Sequence, residues 1–577
     1  MTSLLRVASG SAMLLGAIGA VPTVGAAATC ESLGSLLLPD VTSISAKSFG
    51  GGTFQPPDPA GFTPTPSRPH AFAPITGLPA FCEVSIVVAP AIDIEIWLPL
   101  PSAWNTRFRG VGGGGYAGTI SWTALAAAVQ GGYSTASTDT GHSAFAANNG
   151  LSGGGFALNQ PADTLNQGLI KDFAERAELQ LARTGKALTR AFYGTGPRFS
   201  YWTGCSTGGR QGWIMAQRHP EEYDGLLTGA PAFNWDRFIP AELWGEVVMK
   251  DEVGGPISSA KLTAVANAAV AACAGHSGDG TLTTDAFLAD PRLCTYDPAQ
   301  MSCSAQPGNP SCLTSPEVGA IRKIWDGPRD AKHQRLWFGL DRGASLGALN
   351  GSTPFTIATD HFAYWLHQSP SFDWHSVTES SFVTDFFSSE AKFEDVIGTD
   401  STELDEFTEH KAKNITYHGT ADQLIFSRGT TNYFERLRKR YGAGKVDKFA
   451  RLFMVPGMGH CAGGPGANSF GQSGLPGPSD PQHDIFQALV HWVEFGSAPD
   501  KIIATKFVND NPASGIAFTR PLCVFPNVAK YKGAGSIADA ANWTCEKGLV
   551  NDATEDADAV LPDRGDRDRD DRSGDHD

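Results

Sequence analysis

Positive charge is scarce in this sequence. Lys and Arg number 44 against 60 Asp and Glu, a formal net charge of −16 over 577 residues. No basic block or stripe offsets that balance, so a nucleic-acid-binding class is not expected. Charged residues of both signs reach only 18 %, while hydrophobic residues make up 41 %, with 13 Trp and 33 Phe. That much apolar material excludes a wholly disordered chain. The 66 Gly and 37 Pro are too many for a coiled coil. No Cys-x-x-Cys occurs, which removes the usual zinc-ribbon spacing. The Gly run at 112–115 lacks the G-K-[ST] ending of a phosphate loop. No later segment has 18 uninterrupted apolar residues, so no membrane partner is expected.

What is present begins with a leader. Residues 1–28 carry Arg6, an apolar middle from Ala12 to about Val24, and the small run Gly25-Ala26-Ala27-Ala28. This is the layout of a cleaved secretory signal, and it predicts an exported protein, periplasmic or extracellular. All ten Cys lie beyond it, an even number that suits disulfides in an oxidising compartment. Spacing suggests local pairs: Cys273 with Cys294, Cys303 with Cys312, Cys523 with Cys545. At the other end, residues 551–577 hold 11 acidic residues and four Arg in low-complexity sequence, which predicts a solvated tail.

Between these ends, strand-like and helix-like segments alternate. Val84–Val88, Ile92–Leu98, Arg107–Val111, Gly132–Thr138 and Phe199–Thr203 read as strands. Asp163 to about Leu188 has helical spacing, and Gln211–Arg218 opens another helix. Residues 50–80 read as an irregular arm. The alternation implies a largely parallel sheet covered by helices. It breaks over about 236–400 and returns with strands at Asn414–Tyr417 and Phe449–Val455 and a closing helix at Asp484–Phe495. The chain therefore reads as one α/β domain in two parts, 29–235 and 401–550, interrupted by an inserted domain at 236–400.

The sharpest chemical signal is Gly204-Cys205-Ser206-Thr207-Gly208-Gly209, a G-x-S-x-G motif between a strand and a helix. Small residues let the chain turn sharply and present Ser206 above the sheet edge. A serine hydroxyl needs a base to take its proton, and the base needs a carboxylate to orient it. Asp422 in His418-Gly419-Thr420-Ala421-Asp422 and His460 in Gly457-Met458-Gly459-His460-Cys461 follow in the order Ser, acid, His. His142 in Asp139-Thr140-Gly141-His142 precedes Ser206 and reads as structural. The oxyanion that forms during acyl transfer needs donors. Thr207 N–H and an N–H of Gly114 or Gly115 are the candidates. Cys205 precedes the serine and Cys461 follows the histidine, so a Cys205–Cys461 bond would hold the two loops together.

At these residues the sequence resembles the tannase/feruloyl esterase family, whose mark is a Cys-Ser, a distant Asp and a His-Cys. GCSTGGRQG, the following stretch at 219–235, the segment 137–142 and the segment 417–425 share the likeness, which covers about residues 30–550. The resemblance implies an α/β-hydrolase fold with a large inserted lid domain, and no organic cofactor. It supports the pairings Cys30–Cys82, Cys205–Cys461, Cys273–Cys294, Cys303–Cys312 and Cys523–Cys545. It implies a small-molecule aromatic ester as substrate, of gallate, ferulate or terephthalate half-ester type. Many members hold calcium in a lid loop between two cysteines. Here that loop would offer Asp279, Asp285 and the Phe287 carbonyl, with His276 where the family has an acid. Calcium takes six to eight oxygens, so the lost acid weakens the site.

The expected function is thus a secreted serine carboxylesterase acting through an acyl-enzyme. A lipase-like esterase for aliphatic chains and a silent binding protein on the same scaffold are the rivals. Trp325, Trp337, Trp365 and Trp374 are candidates for the acyl pocket or for the inserted core, and Arg342 for pairing with an acidic substrate group. The acyl group and the oligomeric state are not readable.

Overall fold

The computed structural model describes residues 28–548 except 60, 147–148, 160–162, 277–285 and 473–478. The leader through residue 27 and the acidic tail lie outside the described residues, as do Asp279 and Asp285.

Nine strands form the central sheet: β1 (Val41–Phe49), β2 (Phe81–Val88), β3 (Ile92–Pro99), β4 (Arg107–Val111), β5 (Ser134–Thr138), β6 (Phe199–Cys205), β7 (Gly225–Gly229), β8 (Lys413–Gly419) and β9 (Ala450–Val455). Their spatial order is β1-β2-β3-β5-β4-β6-β7-β8-β9. The first three pair antiparallel, and β3 meets β5 antiparallel. From β5 to β9 every pairing is parallel. The largely parallel sheet expected from the alternation is therefore present, with an antiparallel edge. Strands β5 and β7 read as unbroken small or apolar runs because both their faces are covered; all five residues of each are buried.

The connecting helices, in chain order, are α1 (Trp122–Gln130), α2 (Ala177–Tyr193), α3 (Thr207–Arg218), α4 (Trp235–Val248), α5 (Glu379–Ile397), α6 (Ser427–Tyr441) and α7 (Ile485–Phe495). One sheet face carries a core of Ile94, Ile96, Phe108 and Trp202 with Leu181, Leu188, Trp213 and Phe434. The other carries Tyr201, Leu227, Tyr417 and Phe453 with Ile485, Leu489 and Trp492.

After β7 the chain enters α4 and does not rejoin the sheet until Lys413. The residues between build a third core, in which Trp235, Phe238 and Trp244 meet Trp325, Trp337, Phe362, Trp365 and Phe382. Every residue of α4 is buried, whereas a helix on a protein surface keeps one polar face in water. Arg237 of α4 is tied to Glu390 of α5 at 2.8 Å. Among the contacts that fasten this segment to the sheet domain, Tyr116 Oη donates to Ile357 O at 3.2 Å, Trp365 Nε1 donates to Gly154 O at 3.2 Å, and Asp360 accepts from Leu151 N–H and Ser152 N–H.

Some expectations are corrected. Helix does not start at Asp163: Thr164–Leu165 is a short strand, and Asn166 caps the helical run from Gln167 by accepting Leu169 N–H at 3.1 Å. The arm at 50–80 contains a small hairpin, Gly52–Phe54 with Ile75–Leu78. The helix α7 does not close the chain. Two antiparallel pairs follow it, Lys501–Phe507 with Ile516–Cys523 and Asn527–Tyr531 with Trp543–Lys547. Among the described residues no helix is long and apolar enough to cross a membrane.

Candidate active site

Ser206 sits between the end of β6 and the start of α3, with φ 63° and ψ −124°. A non-glycine residue pays steric strain of about 1–3 kcal/mol in such a conformation. The surroundings hold it there: Ser206 N–H donates to Gly229 O at 2.9 Å, and Ser206 O accepts from Arg210 N–H at 3.1 Å and Ala232 N–H at 3.2 Å. The glycines on either side are required by close approach. A Cβ on Gly204 would lie 2.5 Å from Gly208 O, and one on Gly208 would lie 3.0 Å from Gly113 O. The G-x-S-x-G spacing is thus a packing requirement of this turn.

The glycine run lies against the first turn of α3. Thr207 Oγ1 donates to Gly115 O at 2.6 Å, Gly113 N–H donates to Gln211 Oε1 at 3.0 Å, and Gly112 N–H to Thr203 O at 2.9 Å. These bonds occupy Gly112 and Gly113 and leave the N–H groups of Gly114 and Gly115 without an acceptor among the described residues. Thr207 N–H belongs to the first turn of α3, whose amides have no intrahelical partner. The three candidate oxyanion donors are therefore available to a ligand; Thr207 N–H stands at the N-terminus of α3, where the dipole favours negative charge, and Gly114 and Gly115 lie in the loop whose Gly115 O accepts from Thr207 Oγ1. His142 is not part of this chemistry. It is buried, stacks on Phe156 at 3.8 Å and contacts Tyr116 O through Nε2 at 2.8 Å, bracing the loop after Gly115. Burial pushes its imidazole down to about 4.

Asp422 and His460 come from loops after β8 and β9. His460 Nδ1–H donates to Asp422 Oδ2 at 2.8 Å. That leaves Nε2 of the imidazole as the basic nitrogen. Asp422 Oδ1 accepts two amides, Leu424 N–H and Ile425 N–H, each at 2.9 Å. His418, fully buried on β8, places Nε2 3.2 Å from Asp422 Oδ2 and Nδ1 2.9 Å from Thr430 Oγ1. Burial by itself would raise the Asp422 carboxyl. The charge of His460 and the bonds from His418 and His460 outweigh it and hold the carboxyl well below the usual range. Gln423 Oε1 accepts His460 N–H at 3.0 Å and fixes the histidine backbone. Sequence reasoning does not single out His418 and Gln423, although both stand in the same short segment as Asp422.

A disulfide joins Cys205 to Cys461, with Cα atoms 6.0 Å apart. Ser206 and His460 are chain neighbours of these two, so their Cα atoms cannot be more than about 14 Å apart. The other four expected pairs are also bonded: Cys30–Cys82, Cys273–Cys294, Cys303–Cys312 and Cys523–Cys545. No described cysteine is free.

The remaining candidates fall elsewhere. Phe287 is buried and lines an apolar cavity with Pro456, Leu522 and Trp543. Asp290, in the described part of the same disulfide loop, gives both carboxylate oxygens to Arg292. Among the described residues no group of three acidic, His or Cys side chains could hold a metal. Trp325, Trp337 and Trp365 are core residues of the inserted segment, and Trp374 stacks on His375 at its surface. Arg342 lies over Trp325 and donates to Tyr296 O at 3.0 Å, in a cavity shared with Arg322 and Arg428.

Comparison with known proteins gives a consistent answer. Residues 80–546 match the family described as Tannase and feruloyl esterase. The chain is 34 % identical to an uncharacterized esterase of Xanthomonas campestris pv. campestris, covering 92 % of this chain and 93 % of that one. It is 33 % identical to a probable feruloyl esterase of Arthroderma benhamiae, covering 85 % and 88 %. The crystal structure of feruloyl esterase B from Aspergillus oryzae superposes with a TM-score of 0.76 at 28 % identity, over 90 % of this chain and 99 % of that one. Tannin acyl hydrolase from Aspergillus niger shares the fold, with a TM-score of 0.71 at 24 % identity over 92 % and 95 %. With the family matched over most of its length, this chain belongs to the tannase and feruloyl esterase family of carboxylic ester hydrolases.

Proposed function

We propose that the chain hydrolyses aromatic carboxylic esters by a serine mechanism with an acyl-enzyme intermediate. The observation that carries the reading is the 2.8 Å His460–Asp422 contact, held beside Ser206 by the Cys205–Cys461 bond. Ser206 Oγ attacks the ester carbonyl as His460 Nε2 takes its proton. Asp422 orients the imidazole and stabilises the imidazolium. Thr207 N–H and an N–H of Gly114 or Gly115 hold the oxyanion. Collapse expels the alcohol, which takes the proton from His460. Water then repeats the cycle on the acyl-enzyme and releases the acid.

The strand order, with the serine after β6 and the acid and base after β8 and β9, supports an α/β-hydrolase reading in which 236–400 serves as the lid. The segment's apolar core, set against Tyr116 beside the glycine run, supports an aromatic acyl pocket beneath that lid. The names of the relatives favour aromatic esters over long aliphatic ones. The leader and the five disulfides favour export. A lid calcium ion would rest on Asp279, Asp285 and the Phe287 carbonyl; Asp290 offers no replacement for the lost acid, because Arg292 holds it.

A hydrolysis panel tests the reading. Methyl ferulate, methyl gallate and the terephthalate half-ester should be cleaved faster than a medium-chain aliphatic ester. Preference for the aliphatic ester would replace the reading with the lipase-like one, and no turnover on any ester would favour a binding protein.

A further inference from the structure

The loops that carry Asp422 and His460 are laced together behind the His460–Asp422 contact. Thr420 N–H donates to Val455 O and Ala421 N–H to Met458 O, each at 3.0 Å. One buried side chain joins this lacing to the inserted segment. Thr420 Oγ1 accepts Gly457 N–H at 2.9 Å and donates to Leu288 O at 3.3 Å. A hydroxyl has one proton and two lone pairs, so it can serve both segments at once. Thr420 stands two residues before Asp422, and Gly457 three before His460. Leu288 belongs to the loop that the Cys273–Cys294 bond closes onto the end of the helix Ser259–Cys273. The residue before it reinforces the junction. Phe287 packs so closely on Gly457 that a Cβ there would lie 2.5 Å from Phe287 Cβ, and its ring stacks on Phe518 at 6.4 Å. The base loop is therefore held at three points: Cys461 by its disulfide, His460 N–H by Gln423, and Gly457 by Thr420 and Phe287. The third of these depends on the inserted segment.

We infer that Thr420 is a positioning residue through which the Cys273–Cys294 loop of the inserted segment sets the place of His460. The inference rests on the proposed serine mechanism, in which His460 Nε2 must meet the proton of Ser206 Oγ. Without the hydroxyl, the buried Gly457 N–H loses its acceptor and Leu288 O loses this donor. An unpaired buried amide is costly, so the backbone at Gly457 moves to find another partner and carries the histidine loop with it. Proton transfer depends on that placement, whereas ground-state binding of the ester does not pass through Thr420. The loss therefore falls on kcat and leaves KM in place.

The experiment measures kcat and KM on methyl ferulate, the rate of Ser206 labelling by an aryl fluorophosphonate, and Tm, all on the full-length protein and with kinetics well below the melting transition. Thr420→Val should lower kcat and the labelling rate by about 10- to 100-fold, with KM nearly unchanged. Thr420→Ser keeps the hydroxyl and should recover most of both. Opening the loop with Cys273→Ser/Cys294→Ser should lower kcat in the same way. Adding Thr420→Val to that variant should cost less than it costs the parent, because both changes break one connection. A Thr420→Val enzyme with the parent's kcat and labelling rate, whatever its Tm, would overturn the inference, because the hydroxyl would then serve stability alone. A Thr420→Ser enzyme no better than Thr420→Val, or losses that multiply in full when combined with the open loop, would overturn it as well. Should Thr420→Val or the cysteine variant fail to accumulate, Thr420→Ala or Phe287→Ala takes its place under the same criteria. A parent that is not labelled at Ser206 and cleaves no ester would overturn the proposed function itself. That result is distinct from an active parent whose kinetics are indifferent to Thr420.

Discussion

Cys205 and Cys461 are bonded to each other across 256 residues of chain, and each is the immediate neighbour of a residue proposed to act in catalysis. The bond therefore fixes the spacing between the Ser206 turn and the His460 loop, which otherwise depends on two separate strand ends. Cys461 has φ 63°, so the loop reverses at the bond itself.

Removing this bond should cost activity before it costs the fold. Closing so long a loop contributes about 2–5 kcal/mol in the chain-entropy picture. A displacement of about 1 Å at a reacting group costs on the order of 100-fold in rate. The Cys205→Ser/Cys461→Ser enzyme should thus show a kcat/KM about 100-fold lower and a reduced Tm, with its circular dichroism retained. Steady-state kinetics and thermal melting check both parts; full activity without the bond would separate it from the mechanism.

Asp422→Asn should leave the backbone in place and lower kcat by roughly 10,000-fold, because the amide no longer enforces the imidazole tautomer. The same substitution should flatten the acid side of the stability curve. The folded Asp422 carboxyl lies well below its unfolded value of about 3.9. Its stabilising contribution is complete above that unfolded value and is lost as pH falls through the folded one. Urea midpoints measured between pH 5 and pH 2.5 should fall less steeply in the variant.

His418→Phe should act through Asp422. It removes a donor 3.2 Å from Oδ2 without touching the imidazole of His460. The Asp422 carboxyl should rise, and the acid limb of kcat/KM should move upward in pH with a loss of about tenfold at neutrality. A uniform loss with an unchanged pH profile would mean that His418 only fills space.

Glu178 gives a separate pH prediction. It accepts from Gln211 Nε2, and Gln211 in turn holds Gly113 N–H in the glycine run. Burial, only partly offset by Arg210, pushes the Glu178 carboxyl up to about 8. The protonated form is therefore favoured by folding. Its contribution is full below the unfolded value of about 4.3 and declines as pH rises through about 8. Glu178→Gln keeps the acceptor and removes the titration, so it should match the parent at pH 4 and exceed it in urea midpoint at pH 9.

Gly204→Ala should destabilise by about 1–3 kcal/mol, since the added methyl would sit 2.5 Å from backbone oxygen of Gly208. Chemical denaturation measures the loss, and activity should fall with it because the serine turn must open.

The site is more legible in the sequence than the framework around it. Ser206, Asp422 and His460 each stand in a short motif of glycines and small residues, because each sits on a tight turn at a strand end. The local cysteine pairs are legible for a similar reason, their short spacing. His418, Gln423 and Gln211 are not, since their roles depend on which loops meet, and no spacing records that. Strand β7, Gly225–Gly229, escapes a sequence reading because a five-residue run between two turns carries no alternation. The helix α6 escapes it because its sequence, Ser427 to Tyr441, is strongly polar and becomes helical through packing by Tyr433, Phe434 and Leu437. The four strands after α7 lie in polar, Pro- and Gly-punctuated sequence, and pairing between distant segments defines them.

The most direct test of the account is covalent labelling of the serine. The purified protein would be treated with an aryl fluorophosphonate and examined by intact and peptide mass spectrometry, beside Ser206→Ala. One adduct per chain, on the peptide containing Ser206, with loss of methyl ferulate hydrolysis in step with labelling and no adduct in the variant, is the predicted result. Labelling at another residue, or hydrolysis of methyl ferulate that survives in Ser206→Ala, would contradict the account.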